Sequence, residues 1–202
     1  ELCRPLERRC LFSVSSYHEM LAMARDGRVD MVIAGMSRNP VLAETFEFSR
    51  SYYTGHSLFI SSNTLRQRIS GSELRSVEVG VKVDTVQHME LQPAVTHGDL
   101  HSIRIYTDYW QMFRDLQAHE IDYIYLDSKV GYEMLKLMDE DAPELSFTSQ
   151  HGLFPLRMYE YDVALPRRHA EALPRINEAI DELTIKGVRQ RLSLKYFPFM
   201  NY

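Results

Sequence analysis

The sequence predicts an α/β fold built as two similar lobes, and three observations carry that expectation. Strand-like and helix-like segments alternate through all 202 residues, the pattern of helices laid on a sheet. The stretch Gly27-Arg-Val-Asp-Met-Val-Ile-Ala-Gly-Met-Ser37 reads as a helix exit, a short strand and a polar loop. A weaker copy of the same order follows at His119-Glu-Ile-Asp-Tyr-Ile-Tyr-Leu-Asp127. In open α/β sheets ligands gather at the carboxyl ends of strands, so both exits, Gly35-Met-Ser37 and Asp127, are expected to face one cleft.

Bulk properties remove several function classes. Net charge is −5 with no basic block, which argues against a nucleic-acid footprint. No apolar run approaches the ~20 residues that span a bilayer, and no signal peptide is visible. Cys3 and Cys10 stand seven residues apart. On a continuous helix they would lie about 10 Å apart, too far for a bridge, which needs Cα atoms within about 7 Å. A disulfide therefore requires the helix to end between them; two free thiols are the alternative. No metal-ligand spacing accompanies them.

Taken in order, residues 1–9 read as the back of a helix and Leu11–Val14 as a short strand. Ser15 or Ser16 caps a helix over His18–Asp26, closed by Gly27. Val29–Ala34 is an almost unbroken apolar run, expected as a parallel strand covered on both faces. Asn39 and Pro40 fit the N-cap and first position of a short helix that Phe46–Ser49 ends. Tyr52–Gly55 leads into a strand over His56–Ile60, followed by a polar loop, 61–72. Strands follow at Val77–Val81 and Ser102–Tyr106, with a helix over Val86–Pro93 between them. Thr107-Asp108 caps an amphipathic helix, Tyr109–Ala118, with Trp110, Met112, Phe113 and Leu116 inward. Ile121–Leu126 is the second central strand, and Ser128–Met138 is helical. A short strand near Leu145–Phe147 and extended chain to Leu165 precede a long helix, Pro166–Lys186. Gly187 breaks it before a last helix, Val188–Phe197. The chain thus crosses from one lobe to the other near Tyr52–Leu58 and back near Phe154–Val163, which makes a two-stranded hinge. The lobes are expected as 1–54 with 160–202, and 55–159.

These residues resemble the periplasmic solute-binding proteins for polar amino acids, extracellular family 3, whose fold is the type II periplasmic-binding-protein fold. The carriers are Cys3 with Cys10, Asp26–Ser37, Phe48-Ser49 with Tyr52-Tyr53, Val79-Gly-Val81, Ile121-Asp122 with Leu126-Asp127, and Asn177, Gly187 and Lys195-Tyr-Phe197. Spacing is nearest to the lysine/arginine/ornithine and histidine binders. The resemblance implies a bridged Cys3–Cys10 pair, a periplasmic location, a small-molecule ligand and no cofactor. It also implies a strand-helix unit ahead of residue 1; without one, the strand at Val29–Ala34 exposes an edge and self-association is expected.

By the same resemblance Tyr17 stacks on the ligand, while Ala34, Gly35 and Ser37 offer backbone and hydroxyl groups. Asp127 receives the ligand's ammonium, and Thr85 meets its carboxylate at a helix N-terminus. Ser37 and Asp127 also suit helix caps. Three positions depart from the family: its carboxylate-binding arginine falls at Leu42, a loop glycine at Asp84, and a hydroxyl residue at Val86. Leucine cannot make the bidentate fork. Arg38, one helical turn before Leu42, and Lys82 are the cations placed to substitute. The expected guest is accordingly an amine, a modified amino acid or a ligand held with poor affinity.

Three functions compete. The first is delivery of solute to an ABC permease by lobe closure. The second is ligand sensing for a membrane receptor. The third is a cyclohexadienyl dehydratase-like enzyme using Asp84 or Asp127 as general acid. The sequence holds no nucleophile-base pair and no phosphate loop, so no catalytic residue is assigned.

Overall fold

The computed structural model describes residues 1–62, 68–138, 145–150 and 158–196. The chain divides into two compact units, Glu1–Thr54 with Tyr159–Tyr202, and Gly55–Met158.

In the first unit, helix α1 (Tyr17–Arg25) starts at Ser16, whose Oγ accepts the Glu19 N–H. Gly27 follows its end with φ of +80°, the left-handed turn that glycine adopts without strain. Strand β1 (Val32–Met36) comes next, then helix α2 (Pro40–Ala43), capped by Asn39 with Pro40 at its first position, as expected. Strand β2 (Phe46–Ser62) runs from this unit into the second, and strand β8 (Met158–Pro166) brings the chain back. The first unit's strand order is β1-β8-β2.

β1 is not a parallel strand covered on both faces. It pairs antiparallel with β8, Val32 opposite Ala164 and Met36 opposite Asp162, and among the described residues β8 is its single strand neighbour. Its middle residues Ile33, Ala34 and Gly35 are exposed. An apolar run reports burial, and here only its ends Val32 and Met36 are buried.

Other expectations also fail locally. Residues 1–9 form turns rather than a helix. Glu7 adopts φ of +52° and Arg8 N–H donates to Cys3 O at 3.2 Å. This reversal lets Cys3 and Cys10 form a disulfide with Cα atoms 6.1 Å apart. Leu11–Val14 is not a strand, and Leu11, Phe12 and Val14 are almost fully exposed. Phe46–Ser49 does not end a helix but begins β2, where Phe46 and Phe48 alternate into the core. The helix expected from Pro166 starts as a 3-10 turn, Arg167–Ala172, kinked at His169, before α7 (Leu173–Ile185). Asn177 on α7 accepts the Arg50 N–H at 2.7 Å, fixing that helix to β2. Gly187, φ +64°, separates α7 from α8 (Val188–Tyr196).

The second unit is an α/β sheet with helices on both faces. It contains β3 (Arg68–Ile69), α3 (Gly71–Leu74), β4 (Glu78–Lys82), α4 (Val86–Thr96) and β5 (Ser102–Tyr106). After these come α5 (Tyr109–Gln117), β6 (Tyr123–Asp127), α6 (Ser128–Met138) and β7 (Leu145–Gln150). The order β2-β6-β4-β5 places β4 parallel to both β5 and β6, while β2 runs antiparallel to β6. β7 pairs β2, and β3 pairs β7, inside the segment expected as loop.

Alternation along β6 divides its core. Ile124 and Leu126 pack with Met112, Phe113 and Leu116 of α5 and Met134 of α6. Tyr123 and Tyr125 pack on the other face with Leu91 and Ala94 of α4. Trp110, expected inward, is 44% exposed; the other three inward residues of α5 are buried. At the centre Gly80 admits a close approach: a Cβ there would lie 2.5 Å from Ile121 Cδ1 and 3.1 Å from Tyr106.

Candidate functional site

In the second unit the parallel strands β4, β5 and β6 all hand over to helices at their carboxyl ends, where ligands of open α/β sheets bind. Lys82, Thr85 and Asp127, each expected from the sequence, lie on those exits. Tyr109, at the start of α5, was not foreseen. The Lys82 ammonium sits 5.5 Å from its ring centroid, a cation–π distance. Burial, with the Asp127 charge added, pushes the Tyr109 phenol up to about 12.

Asp127 ends β6 and caps α6. Its Oδ1 accepts the N–H groups of Lys129 at 2.9 Å and Val130 at 3.3 Å, so the cap and the proposed ligand acid are one side chain. Lys129 is buried, and burial pushes its amine down to about 8. Across the antiparallel pair from Asp127 stands Ser57, which accepts a 2.7 Å hydrogen bond from the buried Gln87 amide. That bond anchors the first turn of α4 to β2.

Thr85 is the N-cap of α4. Its hydroxyl donates to Lys82 O at 2.7 Å and accepts the His88 N–H at 3.2 Å. The single hydroxyl proton is therefore committed to the Lys82 carbonyl, while the oxygen caps α4. Asp84, at the family's glycine position, adopts φ of +59°. Asp tolerates this left-handed conformation better than most residues, which explains how the position can lose its glycine.

In the first unit the exit of β1 gathers Ala34, Gly35, Ser37 and Arg38. Gly35 N–H donates to Tyr52 Oη at 3.1 Å. Burial raises the Tyr52 phenol above its ordinary range, opposed by that hydrogen bond and helped by the charge of Asp162. Ser37 does not cap a helix; its Oγ donates to Glu160 O at 2.9 Å, and Asn39 does the capping. Having given its proton away, the Ser37 oxygen can only accept further hydrogen bonds, which suits an ammonium. Tyr17 begins α1, 38% exposed, with His18 edge-on at 6.0 Å.

Arg38 lies over Phe48, 5.6 Å from its ring centroid, and donates to Phe48 O at 3.1 Å. Leu42 is buried in a core cluster with Met36, Phe46 and Phe48. Sequence reasoning missed Asp162. It is 6% exposed on β8, opposite Met36, and its Oδ1 has no hydrogen-bond partner among the described residues. Burial raises its carboxyl above the usual range, opposed by the Arg38 charge and reinforced by Glu160.

Strand exits that carry an acid, cations, hydroxyls and aromatic rings are the parts from which α/β proteins build ligand sites. The model for bacterial extracellular solute-binding proteins, family 3, matches residues 1–199, and the chain belongs to that family. It is 24% identical over 206 aligned residues to an Escherichia coli (strain K12) protein named as a candidate arginine-binding protein of an ABC transporter, covering 97% of this chain and 77% of the relative. It is 26% identical to the L-cystine-binding protein TcyJ of the same strain, over 88% of this chain and 64% of that relative. Among solved structures, an ancestral arginine-binding protein bound to arginine superposes with a TM-score of 0.80 at 18% identity, over 97% of this chain and 84% of that one. The last likeness establishes the type II periplasmic-binding-protein fold. Among the described residues no helix is long and apolar enough to cross a membrane.

Proposed function

We propose that this solute-binding protein takes a small polar, amine-bearing guest, an amino acid or a derivative of one, and presents it outside the cytoplasm to an ABC-type permease. Its lobes, 1–54 with 160–202 and 55–159, close on the guest. The observation that carries the reading is Asp127: a carboxylate at the carboxyl end of a parallel strand, held by two backbone N–H groups. Tyr17, Ala34, Gly35 and Ser37 contribute from the first lobe, and Lys82 and the turn at Thr85 from the second. The arginine and cystine named for the relatives fit this ligand class, since both bear α-ammonium groups.

Binding rather than turnover is the proposed activity. A dehydratase of this fold needs a carboxylic acid that delivers a proton to its substrate. Asp127 instead spends Oδ1 on the α6 cap, and Asp84 is exposed on a left-handed turn. Prephenate is expected to pass unchanged.

Calorimetric titration with L-arginine, L-lysine, L-histidine and the decarboxylated amines agmatine and cadaverine tests the reading. Micromolar or tighter binding of at least one is expected, lost at least 100-fold in Asp127→Asn, as removal of a charge partner predicts. Undiminished binding by Asp127→Asn, or binding of acidic or uncharged solutes alone, overturns it.

A further inference from the structure

Two neighbouring parallel strands of the second unit end on opposite charges, β4 at Lys82 and β6 at Asp127. Val79 stands opposite Tyr123 and Gly80 opposite Ile124, so Lys82 falls level with Leu126, one residue before Asp127. Neighbouring strands lie about 4.8 Å apart. Yet among the described residues no ion pair joins Lys82 to Asp127.

The other side of β4 supplies the reason. β5 flanks β4 there, with Tyr106 opposite Lys82, and the chain passes from Tyr106 into α5, which begins at Tyr109. The Lys82 ammonium sits 5.5 Å from the Tyr109 ring centroid, within the ~6 Å of a cation–π contact. The ring thus draws the cation toward β5 and away from β6. A ring face attracts a cation without neutralising it, so the ammonium keeps its charge for an incoming anion. Arg38, the other cation placed to replace the family's arginine, already donates to Phe48 O at 3.1 Å. Among the described residues the Lys82 ammonium has neither a carbonyl nor a carboxylate partner.

We propose that Lys82 grips the carboxylate of the guest and that Tyr109 is the positioning residue that holds it ready. Asp127 and Lys82, on adjacent strand exits, then match the two poles of an α-amino acid, the acid taking the ammonium and the cation the carboxylate. The assignment rests on the ligand-binding reading above and narrows it: the guest keeps its acid group, and the second unit grips both ends. Lysine meets a carboxylate as a point charge rather than a bidentate fork, so Tyr109 supplies the orientation that a guanidinium would carry in its own geometry.

The first measurement needs no ligand. With the lysines reductively methylated with carbon-13, the methyl resonance that disappears in Lys82→Met is expected to be shifted upfield by the ring of Tyr109. The shift is expected to persist in Tyr109→Phe and to vanish in Tyr109→Leu; a resonance that Tyr109→Leu leaves unmoved overturns the positioning role. The second measurement is titration calorimetry of amino acids against their decarboxylated amines: L-arginine with agmatine, L-lysine with cadaverine, L-histidine with histamine. For each pair that binds, the wild type is expected to prefer the amino acid, and Lys82→Met to cut that preference about tenfold or more while leaving the amine's affinity within about twofold. Tyr109→Leu is expected to cut it about threefold or more, and Tyr109→Phe, which keeps the ring, to restore it. An unchanged preference in Lys82→Met, or a wild type that prefers the amines, overturns the assignment. Asp127→Asn weakens both members of a pair, so its failure to do so sinks the ligand-binding reading separately. Binding of none of the six compounds overturns both.

Discussion

Ser37 Oγ donates a 2.9 Å hydrogen bond to the carbonyl of Glu160. The bond joins the end of β1 to β8, beyond the last cross-strand pair at Met36 and Asp162. It fixes the polarity of the site at that point, because a hydroxyl that has spent its proton can only accept. Ser37→Ala is expected to lose about 1 kcal/mol of stability, the usual net worth of such a bond, and to weaken binding of an ammonium ligand. Urea unfolding and calorimetry on the same preparation check both.

Lys129 gives a pH prediction. The folded amine sits near 8, against 10.5 for an ordinary lysine, because burial disfavours its charge. Between these values the unfolded chain holds a proton that the folded chain has released, so stability climbs as pH rises from about 8 to about 10.5. Below 8 both states are protonated and this contribution is flat. Lys129→Met is expected to flatten the climb and to raise stability at pH 7 by roughly 2 kcal/mol. Denaturant midpoints measured across that range show whether the climb disappears.

The Cys3–Cys10 bridge closes a short loop. Its reduction is expected to cost about 2 kcal/mol, or roughly 4–8 °C in Tm for a chain of this size. Thermal melts with and without dithiothreitol, and of Cys3→Ser with Cys10→Ser, should agree.

Gly80 faces Ile121 and Tyr106 with no room for a methyl group. Gly80→Ala is expected to destabilise the second unit by roughly 1–3 kcal/mol, as overpacking a close-packed core does. Amide exchange in β4 and β6 should speed up more than in α1 or β1.

Legibility followed the range of the interactions involved. Asn39 with Pro40, Asp108 before α5, and Thr85 before α4 signal helix starts through neighbours within one turn, and the helices begin there. β5 and α6 have the bounds their sequence suggests. The direction of β1 was not legible, because its partner β8 lies far along the chain. Phe46–Ser49 looked helical because it continues a helix, yet alternation of Phe46 and Phe48 was the signal of a strand. Among the candidate site residues, Asp127 and Ser37 stand out as polar groups at strand exits. Asp162 was hidden by apolar neighbours that read simply as a strand, and Tyr109 by its place in an amphipathic helix. Leu42 drew attention as a lost arginine, and it is buried in a core cluster.

The two N–H groups of α6 that hold Asp127 Oδ1 have a thermodynamic consequence for recognition. A flexible acid must surrender rotamer freedom when a guest arrives, at ~0.5–1.5 kcal/mol for an immobilised side chain. Here folding has already exacted that entropy, so in the proposed role of Asp127 the carboxylate is pre-organised and more of the encounter's attraction would survive as affinity.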